Sequence, residues 1–265
     1  MPQPILVFDS GIGGLSVLSE IKQRLPKQDY HYLFDNMRLP YGELDDQELI
    51  EGAVKLITDT VNALNACIVV IACNTASTLL LSHLRNKLNV PIVGVVPAIK
   101  PAAAYSKSKC IAVLATPATI TRQYTKDLIS EFADNCQITS IASSEMVLMA
   151  EDKLAKKPID KKRLQTILAP IQNSRVDVLV LGCTHFPLIK SEIIDILGEK
   201  ILLIDSGKAI AKRVETILTA QSTSKGSDDQ TETRLTSWYT SKQLSRELTE
   251  TLVEYGFQKI SPINE

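Results

Sequence analysis

The sequence has no C-x-x-C pair, only three histidines and one tryptophan, and no block of like charge. Its five cysteines, Cys67, Cys73, Cys110, Cys136 and Cys183, are an odd number without common ligand spacing, which excludes a disulfide framework and the usual zinc patterns. Reduced thiols in a cytoplasmic setting are expected. Lys plus Arg (29) nearly cancel Asp plus Glu (30), so neither a nucleic-acid nor a membrane partner is expected. No stretch approaches the ~20 apolar residues of a membrane span, and Met1 to Phe8 lacks the regions of a secretion signal. The turn DSGIGG, Asp9 to Gly14, is not a complete G-x-G-x-x-G, because Ser16 stands at the last glycine position, and it lacks the GK[ST] of a phosphate loop. A tight strand-to-helix turn is one reading of it.

What is present is a recurring alternation of apolar strands and amphipathic helices. At 265 residues, 45% hydrophobic and 22% charged, the chain has the composition of a globular protein and the length of two modest domains. Strands are read at Ile5–Phe8, Tyr30–Phe34, the run ending at Cys73, and Pro91–Val96. The second half repeats the order from Cys110, Gln137, Val176 and Ile201. Ile5 and Ile111 lie 106 positions apart, Tyr32 and Ile138 also 106, Ile68 and Val178 110, and Ile92 and Ile201 109. Nearly constant offsets point to an internal duplication of a β/α unit. The expected fold is α/β: two pseudo-symmetric doubly wound parallel-sheet domains facing each other across a cleft. The first domain is read as residues 1–96 plus 210–265 and the second as 97–209. Gln221 to Glu232 reads as a flexible connection, and a strand at Leu235–Tyr239 with a helix through Leu244, Leu248 and Leu252 is expected to complete the first domain. DSGIGG, LPYG, CNT, ATPAT and CTH all follow predicted strands, at the edge where such sheets bind ligands.

CIVVIACNT, Cys67 to Thr75, reads as a buried strand ending in the thiol of Cys73, with Asn74 and Thr75 as helix caps that favour a thiolate. VDVLVLGCTH repeats the pattern at Cys183. A free cysteine alone is as readily a small buried hydrophobe, and Cys67, Cys110 and Cys136 are read so. Two thiols at equivalent places in two repeats suit a racemase without cofactor, in which one base removes the Cα proton from one face and an acid protonates the other. Ser10, Asn74, Thr75 and Thr184 suit the substrate carboxylate. Asp9 suits the ammonium or orientation of the adjacent thiol, and His185 suits assistance to Cys183. His31 and His83 read as packing or surface residues, and a zinc site from Cys73, Cys183 and His185 lacks ligand-pair spacing. A two-lobed amino-acid binding protein without catalysis needs the cleft but not the thiols.

FDSGIGG, LPYG, ACNTAS, VVPA, ATPATI, LGCTHFPL and the terminal WYTS, in this order over nearly the whole chain, resemble the glutamate racemases of the aspartate/glutamate racemase superfamily. The resemblance implies that Cys73 acts on D-glutamate and Cys183 on L-glutamate. It implies substrate contacts at Asp9, Ser10, Tyr41, Gly42, Asn74, Thr75, Thr184 and His185, with Thr116 and Thr119 in a second-domain threonine segment. Supporting acids are implied beside each thiol: Asp9 at Cys73, His185 and Glu151 at Cys183, with Glu145 competing for the place of Glu151. The implied activity is interconversion of L- and D-glutamate for bacterial peptidoglycan, with no pyridoxal phosphate or metal. An aspartate racemase, or a related isomerase or decarboxylase of the superfamily, is the nearest rival. A homodimer is compatible with the sequence. The SSEM…AE form resembles proteobacterial members, some of which carry an N-terminal extension and answer to a peptidoglycan-precursor activator; a first strand at Ile5 makes such regulation unexpected here.

Overall fold

The computed structural model describes residues 3–221 and 233–263. It begins with β1 (Ile5–Asp9), α1 (Leu15–Arg24) and β2 (Tyr30–Phe34), followed by two single-turn 3-10 helices, Asn36–Arg38 and Tyr41–Glu43. The chain continues through α2 (Asp46–Leu64), β3 (Ile68–Ile71), α3 (Asn74–Lys87), β4 (Ile92–Gly94) and α4 (Ile99–Tyr105). The second half holds β5 (Cys110–Ala115), α5 (Pro117–Thr121), α6 (Gln123–Phe132), β6 (Gln137–Ala142), α7 (Glu145–Leu154) and α8 (Lys161–Leu168). Then come β7 (Val178–Leu181), a 3-10 helix at Phe186–Ile189, α9 (Lys190–Leu197), β8 (Leu202–Ile204) and α10 (Gly207–Gln221). The chain closes with β9 (Leu235–Tyr239), α11 (Arg246–Glu254) and β10 (Lys259–Pro262).

Among the described residues ten strands form two parallel sheets, ordered β10-β9-β2-β1-β3-β4 and β6-β5-β7-β8. The shared order β2-β1-β3-β4 and β6-β5-β7-β8 is the duplication seen directly. The register corrects its details. Ile5 pairs with Tyr30 and Ile111 with Ile138, so Ile138 answers Tyr30, two residues before Tyr32. Ile68 and Val178 do correspond, since they pair with Ile5 and Ile111. Val69 pairs with Ile92 and Leu179 with Leu203, so Ile92 answers Leu203 and not Ile201. Both slips involve edge strands, β6, β4 and β8, whose short, partly exposed segments leave apolar type too weak to fix the register.

Burial follows position in the sheet. β1, β3, β5 and β7 are central and buried at every residue, which is why their sequences are continuous apolar runs. The edge strand β6 is mostly exposed and reads QITSIA. Each sheet carries an apolar layer on both faces: Leu15, Leu18 and Ile21 of α1 pack with Val214 of α10 on one side of the first, and Leu49, Ile57 and Leu80 lie on the other. Capping side chains start several helices. Asp45 accepts the Gln47 N–H at α2, Asp160 the Arg163 N–H at α8, and Ser245 the Leu248 N–H at α11.

β9 pairs with β2, so the C-terminal segment does complete the first sheet, and β10 adds an edge that the sequence reading lacks. α4 is also absent from that reading, because an alanine-rich run between two strands carries little amphipathic signal. The expected connection at Gln221 to Glu232 lies, beyond Gln221, outside the described residues. Among the described residues no helix is long and apolar enough to cross a membrane.

Candidate active site

The strand carrying the first thiol stops at Ile71, two residues before Cys73. Cys73 itself is the N-cap of α3, its Sγ accepting the Ala76 N–H at 3.4 Å. This corrects the expectation that Asn74 and Thr75 cap the helix; they form its first turn, because the extended backbone of Cys73 already turns its side chain onto the free N–H groups. The second thiol differs. Cys183 follows β7 by two residues and opens onto the 3-10 helix Phe186–Ile189, so no long helix starts at it. Both thiols are nearly enclosed, at 5% and 6% exposure.

Asp9 ends β1 and is fully buried. Its Oδ1 accepts the Gly11 N–H at 2.9 Å and the Ser10 hydroxyl at 3.2 Å, and Ser10 Oγ lies 3.6 Å from Cys73 Sγ. Its Oδ2 accepts the Thr184 hydroxyl at 2.9 Å, from the second sheet's side of the molecule. Glu151, on α7, crosses in the opposite direction. Its Oε1 accepts the Ile12 N–H at 2.8 Å and lies 2.8 Å from His185 Nε2, whose Nδ1 lies 3.7 Å from Cys183 Sγ. Each thiol thus has its own carboxylate, through Ser10 or through His185, and each carboxylate is also held from the other lobe. Glu145 takes no part: it is half-exposed and ion-paired with Arg163.

The glycines of DSGIGG allow this approach. A Cβ on Gly11 would lie 2.1 Å from Glu151 Oε1, and one on Gly13 2.3 Å from His185 Nδ1. The turn is a seat for the second lobe's acid–base pair.

Burial shifts the protonation of these groups. Cys73 is pushed up to about 12 by desolvation and then by the charge of Asp9, so it is held as a thiol. Desolvation also raises Asp9, against the nearby His185 and the Gly11 N–H. For His185 burial alone would lower the pKa, but its contacts with Cys183 and Glu151 override this and hold it well above the usual imidazole range.

At the other end the hydroxyls of Thr75, Thr116 and Thr119 form a triangle, 2.9 Å from Thr75 to Thr116, 2.9 Å from Thr116 to Thr119 and 3.3 Å from Thr75 to Thr119. Gly42 packs against Thr116, leaving 2.8 Å for a Cβ. Asn74 is buried, and among the described residues its Nδ2 has no partner. Tyr41, in the 3-10 helix Tyr41–Glu43, is buried. Its hydroxyl donates to Asp35 Oδ2 at 2.6 Å, where Arg38 also binds, and Thr240 donates to Oδ1 at 2.7 Å, so what the Tyr41–Gly42 segment offers a ligand is backbone. Asp35, fully buried, is the residue the sequence reading missed; an acid directly after a core strand was its one signal. Among the described residues no group of His, Cys, Asp and Glu is arranged to hold a metal ion.

Paired α/β lobes with a thiol at equivalent strand ends and carboxylates crossing between them define an acid–base enzyme of the amino-acid racemase type. The pattern of the Asp/Glu/Hydantoin racemase family matches residues 5–214, and the chain belongs to that family. Within it, the chain is 54% identical over 274 residues to the glutamate racemase of Shewanella sp. strain ANA-3, covering 100% of this chain and 99% of that one. Among solved structures it is similar to Escherichia coli glutamate racemase in complex with L-glutamate and the activator UDP-MurNAc-Ala, with a TM-score of 0.90, 40% identity and 98% of each chain covered. Glutamate racemase isoform RacE1 of Bacillus anthracis follows at TM-score 0.81 and 29% identity, covering 98% of this chain and 96% of that one.

Proposed function

We propose that this chain is a glutamate racemase that moves the Cα proton between two thiols, Cys183 on the L face and Cys73 on the D face. The observation that carries the reading is the crossed pair of relays, Cys73–Ser10–Asp9 and Cys183–His185–Glu151. From L-glutamate, the Cys183 thiolate removes the α-proton and the Cys73 thiol delivers its own proton to the opposite face, giving D-glutamate. Cys73, pushed up by burial and held as a thiol, suits the donor in this direction, and His185, raised above the usual imidazole range, lies beside Cys183. In reverse the two thiols exchange roles.

Acid–base transfer contributes roughly 10² to 10⁴ in rate, which is too little for so weak a carbon acid. The carbanion needs further stabilisation from hydrogen-bond donors aimed at its carboxylate and from exclusion of water. Asn74 Nδ2, Ser10 and Thr184 are the donors at hand, and the threonine triangle suits the distal carboxylate. Full identity-level coverage by glutamate racemases and the L-glutamate bound in the Escherichia coli enzyme favour glutamate over aspartate. The reading divides the chain into lobes 1–96 plus 210–265 and 97–209, with the cleft between them. It places the enzyme in the cytoplasm, supplying D-glutamate to peptidoglycan synthesis.

Circular dichroism of L-glutamate and L-aspartate solutions tests it. The protein is expected to extinguish the glutamate signal, and decay of the aspartate signal alone would sink the assignment. Cys73→Ala and Cys183→Ala are each expected to lower turnover by roughly 10²- to 10⁴-fold, whereas a non-catalytic binding protein would be indifferent to both.

A further inference from the structure

Ser16, two residues beyond the DSGIGG turn, has a side chain that the proton relays leave unused. Its Oγ lies 2.8 Å from the carbonyl of Gly13, in its own turn, and 2.8 Å from the carbonyl of Thr184, in the other lobe. The reason for the second contact lies in the backbone after β7. Phe186 N–H donates to the Cys183 carbonyl at 3.1 Å, and Leu188 N–H donates to the His185 carbonyl at 3.1 Å. By the same spacing the carbonyl between them, that of Thr184, falls to residue 187. Residue 187 is proline and has no N–H to give. Thr184 is buried, and buried carbonyls are rarely left without a donor. Among the described residues that donor is Ser16.

The same turn seats the His185 ring on Gly13, and its Ile12 N–H holds Glu151, the carboxylate that bonds that ring. We propose that Ser16 is a positioning residue for Cys183, its hydroxyl replacing across the cleft the N–H that Pro187 withholds. The hydroxyl has one proton and two acceptors in reach. With the lobes apart it remains bonded to Gly13, so Ser16 stays satisfied while Thr184 does not. Closure therefore completes the hydrogen bonding of the Cys183–His185 segment, and the second thiol is held in register with the substrate only when the site is shut.

The inference rests on the two-thiol reading, under which the reaction has two proton-transfer barriers, one at each sulfur. Loss of the Ser16 hydroxyl raises the Cys183 barrier alone. In Ser16→Ala, kcat/KM is expected to fall roughly five- to tenfold in both directions, the size of one hydrogen bond. The α-deuterium isotope effect on kcat/KM separates positioning from general damage. It should rise from L-glutamate, where transfer to Cys183 is the isotopic step and becomes limiting. It should fall from D-glutamate, where the isotopic step at Cys73 is no longer limiting. Loss of one hydrogen bond should lower the melting temperature by no more than a few degrees. Pro187→Ala, which restores an N–H opposite Thr184, should return both isotope effects toward their original values in the Ser16→Ala background. Slower turnover with both isotope effects unmoved would overturn the proposal, as would a Pro187→Ala change that leaves Ser16→Ala uncorrected. Full activity of Cys183→Ala would instead remove the two-thiol reading, whatever Ser16→Ala does.

Discussion

His185 sits so close to Gly13 that its placement depends on the absence of a side chain there. A methyl group at that position would fall 2.3 Å from Nδ1 and 2.7 Å from Cγ, with a packed ring and not a flexible chain end in the way. Gly13→Ala is therefore expected to push His185 off Cys183 and Glu151 while the sheets stay intact. Turnover should drop by roughly 10²-fold or more, the low end for loss of one acid–base group. Circular dichroism in the far ultraviolet should be unchanged, and a variant of normal activity would show that the ring has another place to go. The glycine pattern was visible in the sequence, but its partner was not. DSGIGG read locally is a turn between strand and helix; that its glycines face Glu151 and His185 depends on residues well over a hundred positions away.

At the scale of the element, the loop between α4 and β5 is held by one carboxylate at the entrance to β7. Asp177 accepts the Ser106 hydroxyl at 2.6 Å and the Lys107 and Ser108 N–H groups at 2.7 Å each. These donors outweigh partial desolvation and bring its pKa down to about 2. A carboxyl lowered in the folded state stabilises the fold above its unfolded pKa of roughly 3.9 and loses that contribution as pH falls towards about 2. Asp177→Asn should therefore melt lower than the parent at pH 7, by on the order of 1 kcal/mol, with the difference closing below about pH 3. A constant difference from pH 7 to pH 2.5 in thermal melts would contradict this. Elements as such were largely legible, because central parallel strands are continuous apolar runs and β2, β5, β6 and β9 start where the pattern says. α4 and β10 were not, since a short alanine-rich helix and a four-residue edge strand carry almost no periodic signal.

For the whole molecule the decisive feature is closure. The cavity beside Cys183, lined also by Asn74, Thr184 and Ser206, is about 10 Å³, the room of one water molecule. That volume is too small to hold glutamate. Closure is held at one rim by Arg122 and Asp46, paired through both guanidinium nitrogens, and at the other by Lys156 with Glu250 and Glu254 and by Thr251 with the Leu154 carbonyl. Asp46 is 58% exposed against 12% for Arg122, so the first pair lies at the rim and contributes about 0–1 kcal/mol. Asp46→Asn is expected to raise KM for glutamate up to about fivefold with little change in kcat. It should also remove part of the salt dependence of KM, since a rim pair is screened by added ions. Equal salt dependence in the parent and Asp46→Asn would show that the pair does not govern closure.

The sequence by itself determined the two α/β lobes and the delivery of Cys73 and Cys183 to the ends of strands. These follow from local periodicity and its repetition, which any chain segment carries in its own residues. That Glu151 and not Glu145 reaches His185, and that each acid is tied to the opposite lobe, was decided only by the tertiary structure. Ile12 and Glu151 are 139 positions apart and Asp9 and Thr184 are 175 apart, and both bonds run between lobes. The same is true of Ser16 answering a carbonyl that Pro187 leaves without a donor. Such contacts depend on how two finished surfaces meet, and no pattern within either surface specifies that meeting.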